Sequence, residues 1–133
     1  MSLQLKLLLI VSAIGIFDTL YLIYNKIRGT DVLCLFFPKK WCKKVQHSKQ
    51  SKTFGIPNSY AGFVMYTFIF ICTILYAYSV TMLFWPIQIV VAIGFLFSIY
   101  FLYVQGFVLK AFCTWCVLSA INFTILAYAT FLL

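Results

Sequence analysis

The chain has 133 residues, of which 65% are hydrophobic, 20% aromatic and only 9% charged. Soluble globular domains carry about a quarter of their residues as charged side chains, and a chain this short has no core large enough to hide so much apolar surface from water. An ordinary soluble domain is therefore excluded. The net charge of +8 is concentrated in residues 26–52, which hold eight of the ten Lys and Arg. This clustering favours a juxtamembrane loop beside acidic lipid headgroups, and we expect no nucleic-acid partner.

Four apolar stretches are long enough to cross a hydrocarbon core of about 30 Å as helices. Because backbone amide groups must be satisfied inside lipid, we predict an all-α membrane protein, a four-transmembrane-helix bundle formed as a single domain over residues 1–133. A 34-residue polar loop, residues 25–58, separates helices 1 and 2, and no fused thioredoxin-like domain is expected. The predicted helices cover about residues 4–25, 59–78, 83–105 and 108–132.

A few residues in the predicted spans differ from their apolar surroundings. Asp18 in helix 1 is the one acid within a span, and intramembrane ionisable residues tend to face a cavity or a polar partner. We interpret it as a supporting residue, either for proton handling or as a neutral, hydrogen-bonded packing group. Cys72 in helix 2 is expected to be inert packing. Small residues are predicted to allow close helix contacts: Gly15, Gly62, Gly94, Ala120 and Ala127.

Two cysteine pairs are predicted to share one membrane face. Four alternating spans put the loop and the start of helix 4 on one side and both termini on the other, so Cys34 and Cys42 join Cys113 and Cys116. The latter two form a C-x-x-C sequence at the start of a helix, one turn apart on the same face, where they can form a reversible disulfide. The electropositive helix N-terminus and the nearby Lys110 both favour the thiolate, which is the attacking form.

The loop pair, Cys34 and Cys42, lies where a dithiol can move between a soluble partner and a membrane-embedded site. One pair would then collect electrons and the other pass them on. Two non-enzymatic alternatives stay open, a disulfide staple from the loop to helix 4 and a zinc site. Zinc is disfavoured because seven residues separate Cys34 from Cys42, against the usual two to four or so between paired ligands, and only His47 offers a substitute. We therefore predict no metal.

Residues spread along most of the chain resemble the vitamin K epoxide reductase family and its prokaryotic homologues, the quinone-linked disulfide-forming enzymes. Order, spacing and membrane placement agree together, which is more specific than any single motif. The resemblance rests on the loop pair, Ser48 six residues after Cys42, the PNSYAG entry to helix 2 at residues 57–62, and FCTWC at residues 112–116 followed by Ala120-Ile121-Asn122.

The resemblance implies a quinone-dependent thiol–disulfide oxidoreductase that generates disulfides. In that relay Cys34 exchanges with a partner protein, Cys42 attacks Cys113, and Cys116 reacts with a bound quinone of the ubiquinone, menaquinone or phylloquinone type. The partner is expected to be a separate thioredoxin-fold protein. The alternative within the family is reduction of a quinone or vitamin K epoxide, by the same cysteines, as the main physiological role.

The resemblance also bears on the roles of three other positions. Asn58 matches the family asparagine that hydrogen-bonds a quinone carbonyl, with a cap on helix 2 as the alternative. Ser48 matches a loop serine or threonine near the cysteines, with an ordinary solvated serine as the alternative. Ala120 departs from the vertebrate members, which carry a tyrosine there, so the resemblance supports quinone reduction but not epoxide reduction. Several aromatics are candidates for a quinone pocket, although we expect most to face lipid or pack in the bundle: Phe63, Tyr66, Phe95, Tyr103 and Phe107.

The membrane orientation is subject to two conflicting arguments. The loop segment and Lys110 together carry nine of the ten Lys and Arg, and the positive-inside rule therefore points the cysteine face to the cytoplasm. The family resemblance points it outward, into the kind of compartment where disulfides persist. The sequence leaves the side open.

Overall fold

The structure is a computed structural model that describes residues 3–28, 40–41, 52–53, 56–78, 83–110 and 114–132. Within those ranges, four helices are long and apolar enough to cross a membrane. The predicted four-helix, all-α membrane fold is thereby confirmed. The helices are α1 (Leu3–Arg28), α2 (Asn58–Ala77), α3 (Trp85–Tyr103) and α4 (Thr114–Phe131).

The boundary between α3 and α4 differs from the prediction. A π-helical segment, Val104–Leu109, continues α3 beyond residue 105, where we expected the helix to end, and α4 begins at Thr114, not near residue 108. The backbone N–H of Lys110 donates to the Gln105 carbonyl, a π-type bond that keeps the Gln105–Gly106 pair inside the helical path. Lys110 then ends the segment in a left-handed conformation, with φ of 52°.

All four helices contribute to one apolar core. α1 packs against α2 and α4, and α3 packs against α4 and α2. Large apolar side chains also cover the outer faces of the helices, as at Phe17, Val64 and Leu96, which suits a bundle surrounded by lipid. The buried core residues are Leu8, Val11, Tyr66, Ile69, Ile87, Val91, Phe123, Leu126 and Ala129.

Glycines set the closest approaches between helices. A Cβ added at Gly15 of α1 would overlap the ring of Tyr66, and one at Gly62 of α2 would lie 3.2 Å from Thr19 Cγ2. These two contacts run in opposite directions along α1 and α2, so the helices are antiparallel. The predicted role of both glycines in close helix contacts is confirmed.

The bundle has two distinct ends. The Gln4 side chain of α1 donates to the backbone carbonyl of Ala129 in α4, at 2.9 Å, so the start of α1 and the end of α4 lie together. We call the opposite end, where α1 finishes and where α2 and α4 begin, the loop end. Two short antiparallel strands, β1 (Lys52–Thr53) and β2 (Ile56–Pro57), precede α2 at the loop end.

Candidate functional site

Cys116 is the predicted reactive cysteine that the structure describes. It lies in the first turn of α4, at the loop end, and is half-buried. Three other predicted catalytic cysteines, Cys34, Cys42 and Cys113, lie outside the described residues, and so does Ser48. The geometry of the site is therefore built around Cys116.

Cys116 belongs to a cluster of mainly aromatic side chains from three helices and the loop. Leu22 of α1 and Phe101 of α3 are buried at the loop end, and the other members pack against them. The Trp115 ring lies 4.7 Å from that of Tyr21, centroid to centroid, at an interplanar angle of 45°. We call this cluster the aromatic layer; it consists of Tyr21, Leu22, Trp41, Phe97, Phe101, Trp115 and Cys116.

Trp41 joins the segment between α1 and α2 to the aromatic layer. It is the residue directly before Cys42 in the sequence, and it packs against the same buried pair, Leu22 and Phe101, as Cys116 does. Apart from the apolar character of the tryptophan itself, nothing in the sequence indicates this contact. Its consequence is that the residue before the second loop cysteine packs in the same cluster as Trp115 and Cys116 of α4.

The other residues predicted to support the site also lie at the loop end. Asn58 is the first residue of α2, and its quinone contact and its helix cap both stay predictions. Lys110 is exposed, directly after the π-helical segment, three residues before Cys113 and four before the start of α4. Gln105, which had no predicted role in the site, is completely buried within the π-helical segment, and its Nε2 lies 3.4 Å from the Phe101 carbonyl.

A group of buried and partly buried polar side chains lies one to two helical turns deeper in the bundle than Cys116. The Tyr66 hydroxyl is 2.8 Å from Ser119 Oγ and donates to the Ser119 backbone carbonyl at 3.2 Å. Asp18 interacts electrostatically with that hydroxyl, and the Asn122 side chain lies beside it. Asp18 and Asn122 are only 4% and 3% exposed. We call Asp18, Tyr66, Ser119 and Asn122 the polar cluster.

The aromatic layer and the polar cluster are neighbours along the helices. Leu22 of the layer follows Asp18 of the cluster by four residues on α1, and Ser119 follows Cys116 by three on α4. At 1.5 Å per residue, Ser119 is about 4.5 Å deeper than Cys116 along the axis. The polar cluster therefore lies next to the aromatic layer, on its side toward the middle of the bundle.

The aromatics considered from the sequence have separate positions in the bundle. Tyr103 and Phe107 are 57% and 74% exposed on the outside of the bundle, as expected for lipid-facing residues. Tyr66 is completely buried and belongs to the polar cluster, where its ring also stacks on Phe123, with centroids 4.7 Å apart. Cys72 packs at the edge of the apolar core, consistent with a packing role.

The zinc alternative depends on residues outside the described ranges. Within those ranges no three metal-ligating side chains lie together. Three of the four cysteines that a zinc site would use, together with His47, are outside them. The choice between zinc and redox chemistry therefore belongs to experiment.

Comparison with known proteins identifies the family of this chain. No curated protein gives a significant match to the chain. The vitamin K epoxide reductase family matches residues 6–131, which take in nearly the whole chain and all four helices. That family consists of membrane oxidoreductases with quinone and disulfide chemistry, and its substrates are quinones or vitamin K. Match and fold lead to the same conclusion: this chain belongs to the vitamin K epoxide reductase family.

Proposed function

We propose that the protein passes electrons from a thioredoxin-fold partner to a membrane quinone and so generates disulfides. In the proposed relay, Cys34 exchanges with the dithiol of the partner and Cys42 carries the electrons to Cys113. Cys113 and Cys116 then form a disulfide as the quinone is reduced. Overall, two partner thiols become a disulfide and the quinone takes up two electrons and two protons.

The contact of Trp41 with the aromatic layer is the observation that supports this relay best. Transfer from Cys42 to the C-x-x-C pair requires the loop to approach the start of α4. Trp41, one residue before Cys42, packs against the buried pair that also contacts Cys116 and Trp115. A loop that had no relation to the C-x-x-C pair would not need an anchor at this place.

The surroundings of the C-x-x-C pair favour thiolate chemistry. Cys116 lies in the first turn of α4, where the N-terminal backbone N–H groups create a positive potential. Lys110 adds a positive charge just before the pair. Both stabilise a thiolate, the form that attacks disulfides and reducible acceptors.

Asn58 and the aromatic layer have proposed roles in binding the quinone. The layer offers flat apolar surfaces beside Cys116 for the ring. Asn58, at the start of α2, would donate a hydrogen bond from its amide to a ring carbonyl and stabilise the charge that develops there. Ser48 is proposed to support the loop cysteines. The quinone is of the ubiquinone, menaquinone or phylloquinone type, and no metal takes part.

Quinone reduction by the purified protein tests the proposal. The protein in detergent is mixed with reduced thioredoxin and a short-chain ubiquinone or menaquinone, and quinol formation is followed by absorbance. We expect Cys116→Ala to abolish quinol formation. Cys72→Ala is the matched control and should retain the parental rate, because Cys72 packs at the edge of the apolar core. A staple or zinc protein would give no cysteine-dependent quinol, and Cys116→Ala would equal the parent.

A trapping experiment tests the order of the relay. Cys113→Ala should still form a mixed disulfide between Cys34 and the partner, while electrons no longer reach the quinone. The mixed disulfide is detected by non-reducing electrophoresis and the quinol by absorbance. If Cys113→Ala loses the mixed disulfide together with quinol formation, the assigned order is wrong.

A further inference from the structure

The polar cluster is unusual for the interior of a membrane bundle. It brings a carboxyl group, a phenol, an amide and a hydroxyl from three different helices to one place, with Asp18, Tyr66 and Asn122 almost entirely shielded. Ionisable and polar side chains inside a membrane are unfavourable and mark sites of function. Several other buried hydroxyls are satisfied within their own helix; Thr19 and Thr73, for example, donate to the carbonyl one turn earlier at 2.8 and 2.7 Å. The polar cluster instead connects helices.

The polar cluster contains an amide donor without a well-formed hydrogen bond, although the Tyr66 hydroxyl lies beside it. Among the described residues, Nδ2 of Asn122 has no hydrogen-bond partner, although the residue is 3% exposed. Leaving a buried N–H without an acceptor is unfavourable. A quinone carbonyl oxygen accepts hydrogen bonds and donates none, so it matches this amide and the Tyr66 hydroxyl beside it.

The cluster also lies at the right depth for such a ligand. Ser119, which contacts the Tyr66 hydroxyl, is one turn below Cys116 on α4, and Asp18 is one turn below Leu22 of the aromatic layer. A quinone ring beside the Cys116 sulfur would therefore direct one of its carbonyl oxygens toward Tyr66 and Asn122. These residues carry both a hydrogen-bonding group and a proton.

We propose that the polar cluster binds one carbonyl oxygen of the quinone and that Tyr66 delivers the proton which this oxygen takes up on reduction, with Asp18 as the group that reprotonates Tyr66. This inference rests on the proposed quinone reduction and adds to it a specific proton donor. Tyr66 would be a catalytic residue, whereas Asp18 and Ser119 act through it. Asn122 holds the oxygen in place.

The step balances without any further reactant. The thiols of Cys113 and Cys116 lose two electrons and two protons as their S–S bond forms. The quinone gains two electrons and two protons, one at each ring oxygen. Tyr66 gives its proton to the oxygen in the polar cluster and receives another from Asp18. Asp18 regains one of the protons that the thiols release, so the cluster is unchanged after each cycle.

Binding and turnover are measured separately to test this inference. Binding of a short-chain ubiquinone is followed by quenching of the intrinsic tryptophan fluorescence, because Trp115 and Trp41 lie in the aromatic layer. Turnover uses dithiothreitol as the reductant, so that no partner protein is needed. Removal of a general acid typically slows a reaction by about 10²- to 10⁴-fold. We expect Tyr66→Phe to lower kcat on the order of a hundredfold and to change the Kd for quinone by less than about tenfold.

Asn122 and Asp18 give complementary results. Asn122→Leu should raise the Kd for quinone about tenfold, since one hydrogen bond of about 1 kcal/mol or somewhat more is lost. Asp18→Asn should lower kcat with little effect on KM, and Asp18→Glu should restore much of the rate. Asp18→Asn should also raise the solvent deuterium isotope effect on quinol formation. If Asp18 had a purely structural role, this isotope effect would not change.

Thr130→Val is the matched control for these substitutions. Thr130 is 5% exposed and its Oγ1 has no hydrogen-bond partner within the described ranges, but it lies in the last turn of α4, at the far end from Cys116. This variant should keep the parental Kd and kcat. If Tyr66→Phe does not fold, Ser119→Ala replaces it; we expect a smaller loss of kcat because the phenol keeps its proton but loses its orienting contact.

The outcomes distinguish this inference from the function on which it rests. If quinone does not quench the tryptophan fluorescence of the parent protein and the parent forms no quinol, the proposed function itself is contradicted. If the parent is active and Tyr66→Phe, Asp18→Asn and Asn122→Leu all lie within about twofold of it, the polar cluster is only a packing element. Loss of binding in Thr130→Val as well would show a general disturbance of the bundle and would overturn the assignment.

Discussion

Two tryptophans connect the loop and α4 at the scale of single residues. Trp41 precedes Cys42, and Trp115 precedes Cys116, by one position each. Both indoles pack against Leu22 and Phe101, so each reactive segment has a large apolar anchor beside its cysteine. Such an anchor holds the loop mainly through the large apolar contact area of the indole ring.

Loss of the Trp41 anchor should affect mainly one half of the reaction. We expect Trp41→Ala to slow quinol formation driven by reduced thioredoxin about tenfold or more, because the loop approaches α4 less often. Quinol formation driven by dithiothreitol, which reaches the C-x-x-C pair directly, should slow much less, because the other members of the aromatic layer still surround the site of the quinone. Trp85→Ala is the control, since Trp85 is 56% exposed at the start of α3. Equal slowing with both reductants would contradict a role in loop transfer.

Lys110 offers a test of the charge beside the C-x-x-C pair. Lys110→Met removes the charge but keeps a long side chain, so the thiolates should be less favoured and alkylation of Cys113 by iodoacetamide at neutral pH should slow. Lys110→Arg should retain the parental rate. Because Lys110 has a left-handed φ of 52°, Lys110→Gly would relieve backbone strain as well, and its alkylation rate should match that of Lys110→Met. If Lys110→Met has the parental rate of Cys113 alkylation, Lys110 does not influence the C-x-x-C pair.

At the scale of the helices, contacts between glycines and aromatic rings hold the polar cluster in place. Gly15 of α1 makes room for the Tyr66 ring, and Gly94 of α3 makes room for the ring of Phe123. Phe123 in turn stacks on Tyr66, with an interplanar angle of 25°. The position of the Tyr66 hydroxyl is thus fixed from both sides of its ring.

Gly94→Ala should therefore disturb both stability and catalysis. The added methyl group would overlap Phe123, and overpacking of this kind costs about 1–3 kcal/mol. We expect a lower melting temperature in detergent, measured by circular dichroism, and a higher KM for quinone. Ile93→Ala, next to Gly94 but 56% exposed toward lipid, should change neither. Identical melting of Gly94→Ala and the parent would show that Phe123 moves aside freely.

The sequence predicted where the helices lie in the chain, but not which side of each helix faces the bundle and which faces lipid. Four apolar runs of spanning length were sufficient to predict α1 to α4, because length and hydropathy decide membrane crossing. The faces were not readable, since a helix that is apolar all round has no stripe that distinguishes bundle from lipid. For this reason Phe97 and Phe101 could not be separated from Tyr103 and Phe107, although only the first pair lies in the aromatic layer.

The π-helical segment and the polar cluster were missed for a different reason. Gln105 and Gly106 are residues typical of a turn, but a shift to i→i+5 hydrogen bonds kept them in the helical path. Asp18 was identified as a residue that needs a polar partner. Its relation to Tyr66 and Asn122 depends on the packing of α1 against α2 and α4, which spacing within one helix does not reveal.

For the whole molecule, the four helices make a definite topology prediction. Epitope tags at the two termini should be protected or accessible together in sealed vesicles, and a membrane-impermeant thiol reagent should label Cys34 from the opposite side. The compartment that Cys34 faces then decides between the charge distribution and the family resemblance. Tags on opposite sides would require an odd number of spans and would contradict the bundle.

The polar cluster also bears on the order in which the protein is made. Synthesis proceeds from the N-terminus, so α1 enters the bilayer with its carboxyl group well before the residues of α4 exist. Asp18 and Tyr66 come from the first two helices, while Ser119 and Asn122 come from the last. A nascent chain therefore lacks half of the cluster until α4 has been inserted. Closure of the bundle around these groups is a late event of biogenesis, and a chain stopped before α4 would present a membrane-embedded acid to the quality-control machinery of the cell.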